Sequence, residues 1–217
     1  MEFNIELFEK YLKKVSTIDT KNNILNIIKD RLCHHRVRFL NILINYLEGK
    51  INNYLEIGVH NGCSMSYVLQ SNYKIENCYG IDLFEDTFYK DSLNKNKIYS
   101  NLQLLNKNKN NIKLIKGNSS SKEIINSINN IKFDIIFIDG DHTYEGVKKD
   151  FLNYYNLLNN NGIMIFDDYN QAPTNKGVYK FINEIKNNKK LFRFNYSFID
   201  TEHTISKYND GIIAFFK

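Results

Sequence analysis

The chain contains no tryptophan, a single proline and only three cysteines among its 217 residues. It also lacks any apolar run near the roughly 18 to 20 residues of a membrane span, so no transmembrane helix is expected. The opening stretch MEFNIELFEKYLKK mixes acids and bases from the start. It has none of the basic-then-apolar pattern of a secretory signal, and a soluble, cytoplasmic protein with no membrane partner is expected. Cys33, Cys63 and Cys78 form no CxxC pair and no zinc-like spacing. So sparse a set fits free thiols in a reducing compartment. Cys63 stands at an expected helix start, where a thiol can acidify, but a packed small residue is the simpler reading.

Strong charge of one sign is also missing. Lys and Arg exceed the acids by 29 to 24, for a net charge of +5. The excess is spread along a chain rich in Asn, Lys and Ile, so no nucleic-acid partner is read from it. What is present is apolar material: 42% of residues are hydrophobic, enough for a buried core. The length suits one substantial domain.

Residues 1–50 read as helical, with Phe3, Leu7, Tyr11 and Val15 in one run and Ile24 to Leu47 in another. Gly49 is a stop signal. This region is a helical cap on the sheet, a cover for the site or a homo-oligomer surface. Residues 51–217 read as an α/β domain. Strand-like runs at Tyr54–Ile57, Cys78–Ile81, Ile112–Ile115, Phe133–Ile138 and Ile163–Phe166 alternate with helical stretches at Ser64–Gln70, Thr87–Lys107, Ser121–Asn129 and Thr143–Leu158. That alternation predicts a parallel sheet with helices on both faces. One more helix, Gly177–Asn187, precedes two strands with no helix between them, Phe192–Ile199 and Ile212–Phe216. These predict an antiparallel pair, and so a Rossmann-like, mostly parallel sheet of seven strands.

Chemistry concentrates where strands end. The first runs into Glu56-x-Gly58-x-x-x-Gly62. Glycines there allow φ > 0 and a close approach of ligand to backbone. The pattern is not the G-x-G-x-x-G of a dinucleotide site, which argues against a nicotinamide enzyme. The second strand ends in Asp82, placed either to hold ribose hydroxyls or to cap a helix. The third ends in Asn118 and Ser119, placed to meet an adenine edge or to cap the next helix. The fourth and fifth end in Asp139 and in Asp167–Asp168, with His142 close behind Asp139. In a parallel sheet these groups emerge at one edge, where open α/β sheets bind ligands. Carboxylates beside an imidazole suggest a hard divalent metal and a base. Asp141 reads as a helix cap. The segment from Tyr169 to Gly177, which holds Pro173, reads as a lid or a rigid connection. Asp200 and His203 lie in the last loop and are not expected to be essential.

The order E-x-G-x-x-x-G, I-D, K-G-N-S, FIDGDHTYEGV and FDDY resembles the class I S-adenosylmethionine-dependent methyltransferases. More narrowly it resembles the metal-dependent small-molecule O-methyltransferases: the macrocin and mycinamicin sugar type, and more distantly the catechol type. The resemblance covers roughly Tyr54 to Lys217. It implies that Glu56, Gly58 and Gly62 hold the methionine part of the cofactor, Asp82 the ribose, and Asn118 and Ser119 the adenine. It further implies that Asp139, Asp167 and Asp168 bind Mg²⁺ or another divalent cation, with Asp139 also beside the cofactor, and that His142 is the general base. The absence of tryptophan and of matching upstream aromatics departs from the catechol type, and the first 50 residues match no part of the family pattern. The expected activity is O-methylation of a small hydroxylated molecule, a sugar or glycosylated metabolite. Catechol or phenolic methylation and a non-catalytic S-adenosylmethionine-binding module are the alternatives.

Overall fold

The computed structural model describes residues 3–12, 14, 18–28, 38–85, 94–169, 176–186, 190–195 and 211–217. Among these residues three helices come first: α1 (Ile5–Leu12), α2 (Ile18–Ile28) and α3 (Arg38–Tyr46). Then β1 (Asn53–Ile57), α4 (Cys63–Leu69), β2 (Asn77–Asp82), α5 (Lys95–Leu105), β3 (Asn111–Lys116), α6 (Lys122–Ile128), β4 (Phe133–Ile138), α7 (Tyr144–Tyr154) and β5 (Leu158–Phe166) alternate. The chain closes with α8 (Lys176–Ile185), β6 (Lys190–Asn195) and β7 (Gly211–Phe216). The sheet has seven strands in the order β3-β2-β1-β4-β5-β7-β6. The first five are parallel; β7 pairs antiparallel with both β5 and β6.

Strand alternation divides the core in two. Tyr54, Ile135, Phe137, Ile163 and Ile165 face one cluster, together with Phe8, Ile24, Phe39 and Leu43 of the N-terminal helices. Leu55, Ile57, Ile136, Ile138, Met164 and Phe166 face the other, under α6, α7 and α8. Both faces of the sheet are therefore covered, as a parallel sheet requires. The described N-terminal helices pack on this core, and Phe3 stacks on Phe216 of β7 at 4.5 Å. No helix among the described residues is long and apolar enough to cross a membrane.

Several boundaries differ from the sequence reading. β5 starts at Leu158, five residues before the apolar run, because its polar NNNG stretch is still paired: Leu158 lies opposite Phe133, and the Asn161 N–H donates to the Lys217 carbonyl. The helix expected from Thr87 begins at Lys95, where the Asn94 side chain accepts from the Asn96 and Lys97 N–H groups; residues 86–93 lie outside the described set. The strand expected over Phe192–Ile199 is described over Lys190–Asn195. The thiol expectation holds at Cys78, which is free and buried, but not at Cys63, which is disulfide-bonded. Spacing along a sequence sees only near neighbours and cannot report such a link. Cys33, the centre of the expected lid and the Asp200–His203 loop lie outside the described residues.

Candidate active site

Backbone hydrogen bonds continue one residue past the strands and align their ends along one edge. Gly117 N–H donates to Asp82 C=O, Gly58 N–H to Ile81 C=O, Asp139 N–H to Ile57 C=O and Asp167 N–H to Ile138 C=O. Asp82, Gly58, Asp139 and Asp167 thus stand side by side in sheet order.

The glycine turn is built for close approach. Gly58 has φ 90°, and a Cβ there would sit 2.1 Å from the Asp139 carbonyl oxygen, so only glycine lets β1 leave the sheet against β4. Gly62, at φ 86°, ends the turn and caps α4. The turn is tied to Asp82: the His60 N–H donates to Asp82 Oδ2 at 2.8 Å, and the Phe84 N–H donates to Asp82 Oδ1. The Asp82 carboxylate therefore organises the loop.

Glu56 lies beneath the turn, fully buried. Its Oε2 accepts from the Tyr54 hydroxyl at 2.7 Å and its Oε1 from the Ser64 hydroxyl. Burial pushes its carboxyl up to about 8, against the pull of those two hydrogen bonds. Both oxygens are thus engaged, and Glu56 presents no surface of its own at the strand-end edge.

Asp139, His142 and Asp168 each offer one ligand atom within 4.8 Å of the others. His142 stands between the carboxylates, with Nε2 3.5 Å from Asp139 and Nδ1 3.3 Å from Asp168. Burial alone would lower its pKa, but the hydrogen bond and charge of Asp139, with the charges of Asp168 and Asp167, push it up to about 9. Asp168 takes φ 54° just after β5, and its N–H donates to Asp167 Oδ1 at 2.8 Å. That contact binds one Asp167 oxygen to the local turn, and the three-atom cluster includes His142 where the sequence reading had Asp167. Two carboxylates and an imidazole within 4.8 Å of one another make a donor set for a divalent cation.

The α7 start is fixed by its own sequence. The Thr143 hydroxyl accepts from Gly146 N–H, and the Thr143 N–H donates to Asp141 Oδ1. Asp141 occupies the space a Cβ on Gly146 would need, at 2.2 Å, so Asp141, Thr143 and Gly146 are fitted to one another at the helix start. Gly177, at the start of α8, presses on the same turn: its Cβ would fall 2.4 Å from the His142 carbonyl and 2.3 Å from the Tyr144 nitrogen.

Asn118 and Ser119 lie in the β3–α6 loop with their side chains engaged locally. Asn118 Oδ1 accepts from Ser120 N–H, and the Ser119 hydroxyl donates to Asp150 Oδ1 at 2.7 Å. Asp150, Tyr54 and Ser64 were absent from the sequence reading of the site. Asp150 had a readable signal: with Val147, Phe151 and Tyr154 it falls on the buried stripe of α7, where a carboxylate is out of place.

Comparison with known proteins gives the setting. Residues 55–169 match a family model described as a methyltransferase domain. An uncharacterized protein of Acanthamoeba polyphaga mimivirus is 34% identical over 155 residues, covering 71% of this chain and 68% of its own length. Among solved structures, an O-methyltransferase from Bacillus cereus in complex with S-adenosylhomocysteine aligns with a TM-score of 0.62 at 19% identity, covering 99% of this chain and 100% of that one. A TDP-rhamnose 3′-O-methyltransferase of calicheamicin biosynthesis aligns with a TM-score of 0.60 at 13% identity, covering 98% of this chain and 95% of that one. At these identities the structural matches speak for the fold.

Proposed function

The chain belongs to this methyltransferase-domain family and is an S-adenosylmethionine-dependent methyltransferase, and from that premise we propose that it methylates a hydroxyl of a small molecule, a sugar or glycosylated metabolite, with the help of Mg²⁺ or another divalent cation. The observation that carries this reading is the Asp139–His142–Asp168 cluster, set on the same strand-end edge as the glycine turn. The DGDH block, which resembles the sugar type, and the rhamnose-methylating fold neighbour support the choice of acceptor.

When bound, the cofactor supplies a methyl group on a sulfonium, and a divalent cation supplies Lewis acidity that favours the ionised form of an acceptor hydroxyl. The residues of this chain supply position and proton handling. Gly58 and Gly62 expose backbone to the methionine part, Asp82 stands ready for the ribose, and the 117–121 loop for the adenine. Asp139 and Asp168 would hold the cation, with Asp167 beside them at the end of β5. Holding acceptor and methyl in line accounts for much of the rate such a site can offer.

His142 has two readings. In the first it takes the acceptor's proton. Between two carboxylates its pKa lies near 9, so without a cation it carries a proton at pH 7; a cation's charge on the same carboxylates lowers that value toward a useful base. In the second it is itself a ligand, which the short distances among Asp139, His142 and Asp168 favour.

The test is transfer of labelled methyl from S-adenosylmethionine to a panel of nucleotide sugars, glycosides and catechols, with Mg²⁺ or with EDTA. Transfer to a sugar hydroxyl that EDTA abolishes and Asp168→Ala eliminates is the expected result. EDTA-resistant transfer would overturn the metal role, and transfer to catechols alone would overturn the acceptor class. Cofactor binding without transfer to any acceptor would favour a non-catalytic binding module.

A further inference from the structure

We propose that Asp150 is the positioning residue for adenine recognition: by taking the Ser119 hydroxyl proton it turns the lone pairs of that hydroxyl outward, as an acceptor for the 6-amino group of the cofactor. The inference rests on the methyltransferase reading and on the 117–121 loop as the adenine loop.

The loop is held at few points. At Gly117 it folds so tightly onto α6 that a Cβ would lie 2.5 Å from Ile124 Cδ1. Within the loop, the Ser121 N–H donates to the Asn118 carbonyl and the Ser120 N–H to Asn118 Oδ1. Ser119 ties this turn to the rest of the molecule, and both ties run to α7. Its hydroxyl donates to Asp150 Oδ1 at 2.7 Å, and its carbonyl accepts from the Tyr154 hydroxyl at 2.7 Å, one helical turn further on.

Asp150 is only 2% exposed and makes no ion pair among the described residues. A buried carboxylate without a cation is costly, and one serine hydroxyl is a modest return if tethering were its only purpose. Its second oxygen turns toward Gly140, 3.5 Å from where a Cβ on that residue would lie, so the carboxylate sits between the β3–α6 and β4–α7 loops. A serine hydroxyl has one proton and two lone pairs. With the proton committed to an acceptor-only carboxylate, what the hydroxyl can offer outward is an acceptor. That geometry favours a 6-amino purine and rejects a 6-oxo purine, which would bring lone pair against lone pair.

The facing groups are Ser119 from the β3–α6 loop, Asp141 from the β4–α7 loop and Tyr154 from the same helix. None is cationic. Burial raises the Asp150 pKa to about 6, Ser119 pulls it back and the charge of Asp141 adds to the rise. Below that pH the carboxyl acquires a proton of its own and no longer dictates the hydroxyl's orientation.

The experiment compares the affinities of S-adenosylhomocysteine and S-inosylhomocysteine, which differ at the 6-position of the purine. The wild type should favour the adenosyl ligand by roughly tenfold or more, as a mispaired buried polar group implies. Asp150→Ala and Ser119→Ala should each bring the ratio to within about twofold, and Asp150→Asn, whose amide donates as well as accepts and so resembles the protonated acid, should lower it as low pH does. A role in folding alone would weaken both ligands equally and leave the ratio untouched. In the wild type the ratio should also fall as the pH drops below about 6, which tests Asp150 without any variant. A wild type without preference, or a ratio unmoved by Asp150→Ala and by pH, would overturn the inference while leaving the methyltransferase reading intact. Failure of the wild type to bind either ligand would overturn both.

Discussion

Replacing Glu56 by Gln should make the protein more stable, increasingly so as the pH rises. The Glu56 carboxyl is moved from 4.5 to about 8, chiefly by burial. A carboxyl whose folded pKa is raised contributes stability that is fully present below the unfolded value and lost as the pH rises through the folded one. Between pH 5 and pH 8 the unfolded chain ionises this group while the folded chain holds it largely neutral. Each pH unit in that window removes about 1.4 kcal/mol, or roughly 3 to 4 kcal/mol across it. Glutamine keeps the size and can still accept from Tyr54 while donating to Ser64, but it does not titrate. Urea unfolding of wild type and Glu56→Gln at pH 5, 6, 7 and 8 measures the difference directly. The advantage of the variant should be smallest at pH 5 and grow by about that amount at pH 8; other titrating groups cancel in the comparison. A difference that stays flat across the window would refute the burial argument and mean that Glu56 is ionised in the folded protein throughout.

Two further outcomes follow from the glycine turn. Gly58→Ala forces a left-handed backbone and drives a methyl against the Asp139 carbonyl, so it should cost about 3 kcal/mol or more in chemical unfolding and abolish cofactor binding; a variant of wild-type stability would mean the turn relaxes freely. Asp82→Ala removes the acceptor for the His60 and Phe84 N–H groups, and S-adenosylmethionine affinity measured by calorimetry should fall by about tenfold or more; an unchanged Kd would remove Asp82 from the site.

Much of the site was legible because a parallel sheet converts position in sequence into position in space. Once β1, β4 and β5 are recognised as strands, Gly58, Asp139 and Asp167 must emerge together, and they do. What sequence could not supply was the direction of each side chain. Asp167 and Asp168 are adjacent, yet the backbone turn at Asp168 aims that carboxylate at His142 and ties Asp167 to its neighbour's N–H. Period-two alternation puts Glu56 on the same face as Tyr54, and the helix after the turn returns Ser64 over it, a burial the sequence did not show. The polar NNNG stretch fell outside the expected strand because composition reports solvent preference, whereas its pairing is set by Phe133 and Lys217 on its two sides. The N-terminal helices carried a periodic apolar signal, but nothing in that period shows which face of the sheet they cover.

The contact of Gly177 with the His142–Tyr144 turn bears on how this protein can change. A methyl at Gly177 has only backbone to push against, and that backbone carries the imidazole at the metal cluster. Loop exchange between relatives, in nature or in the laboratory, should therefore succeed when the α7 start and the α8 start are transplanted from the same donor, and fail when they come from two.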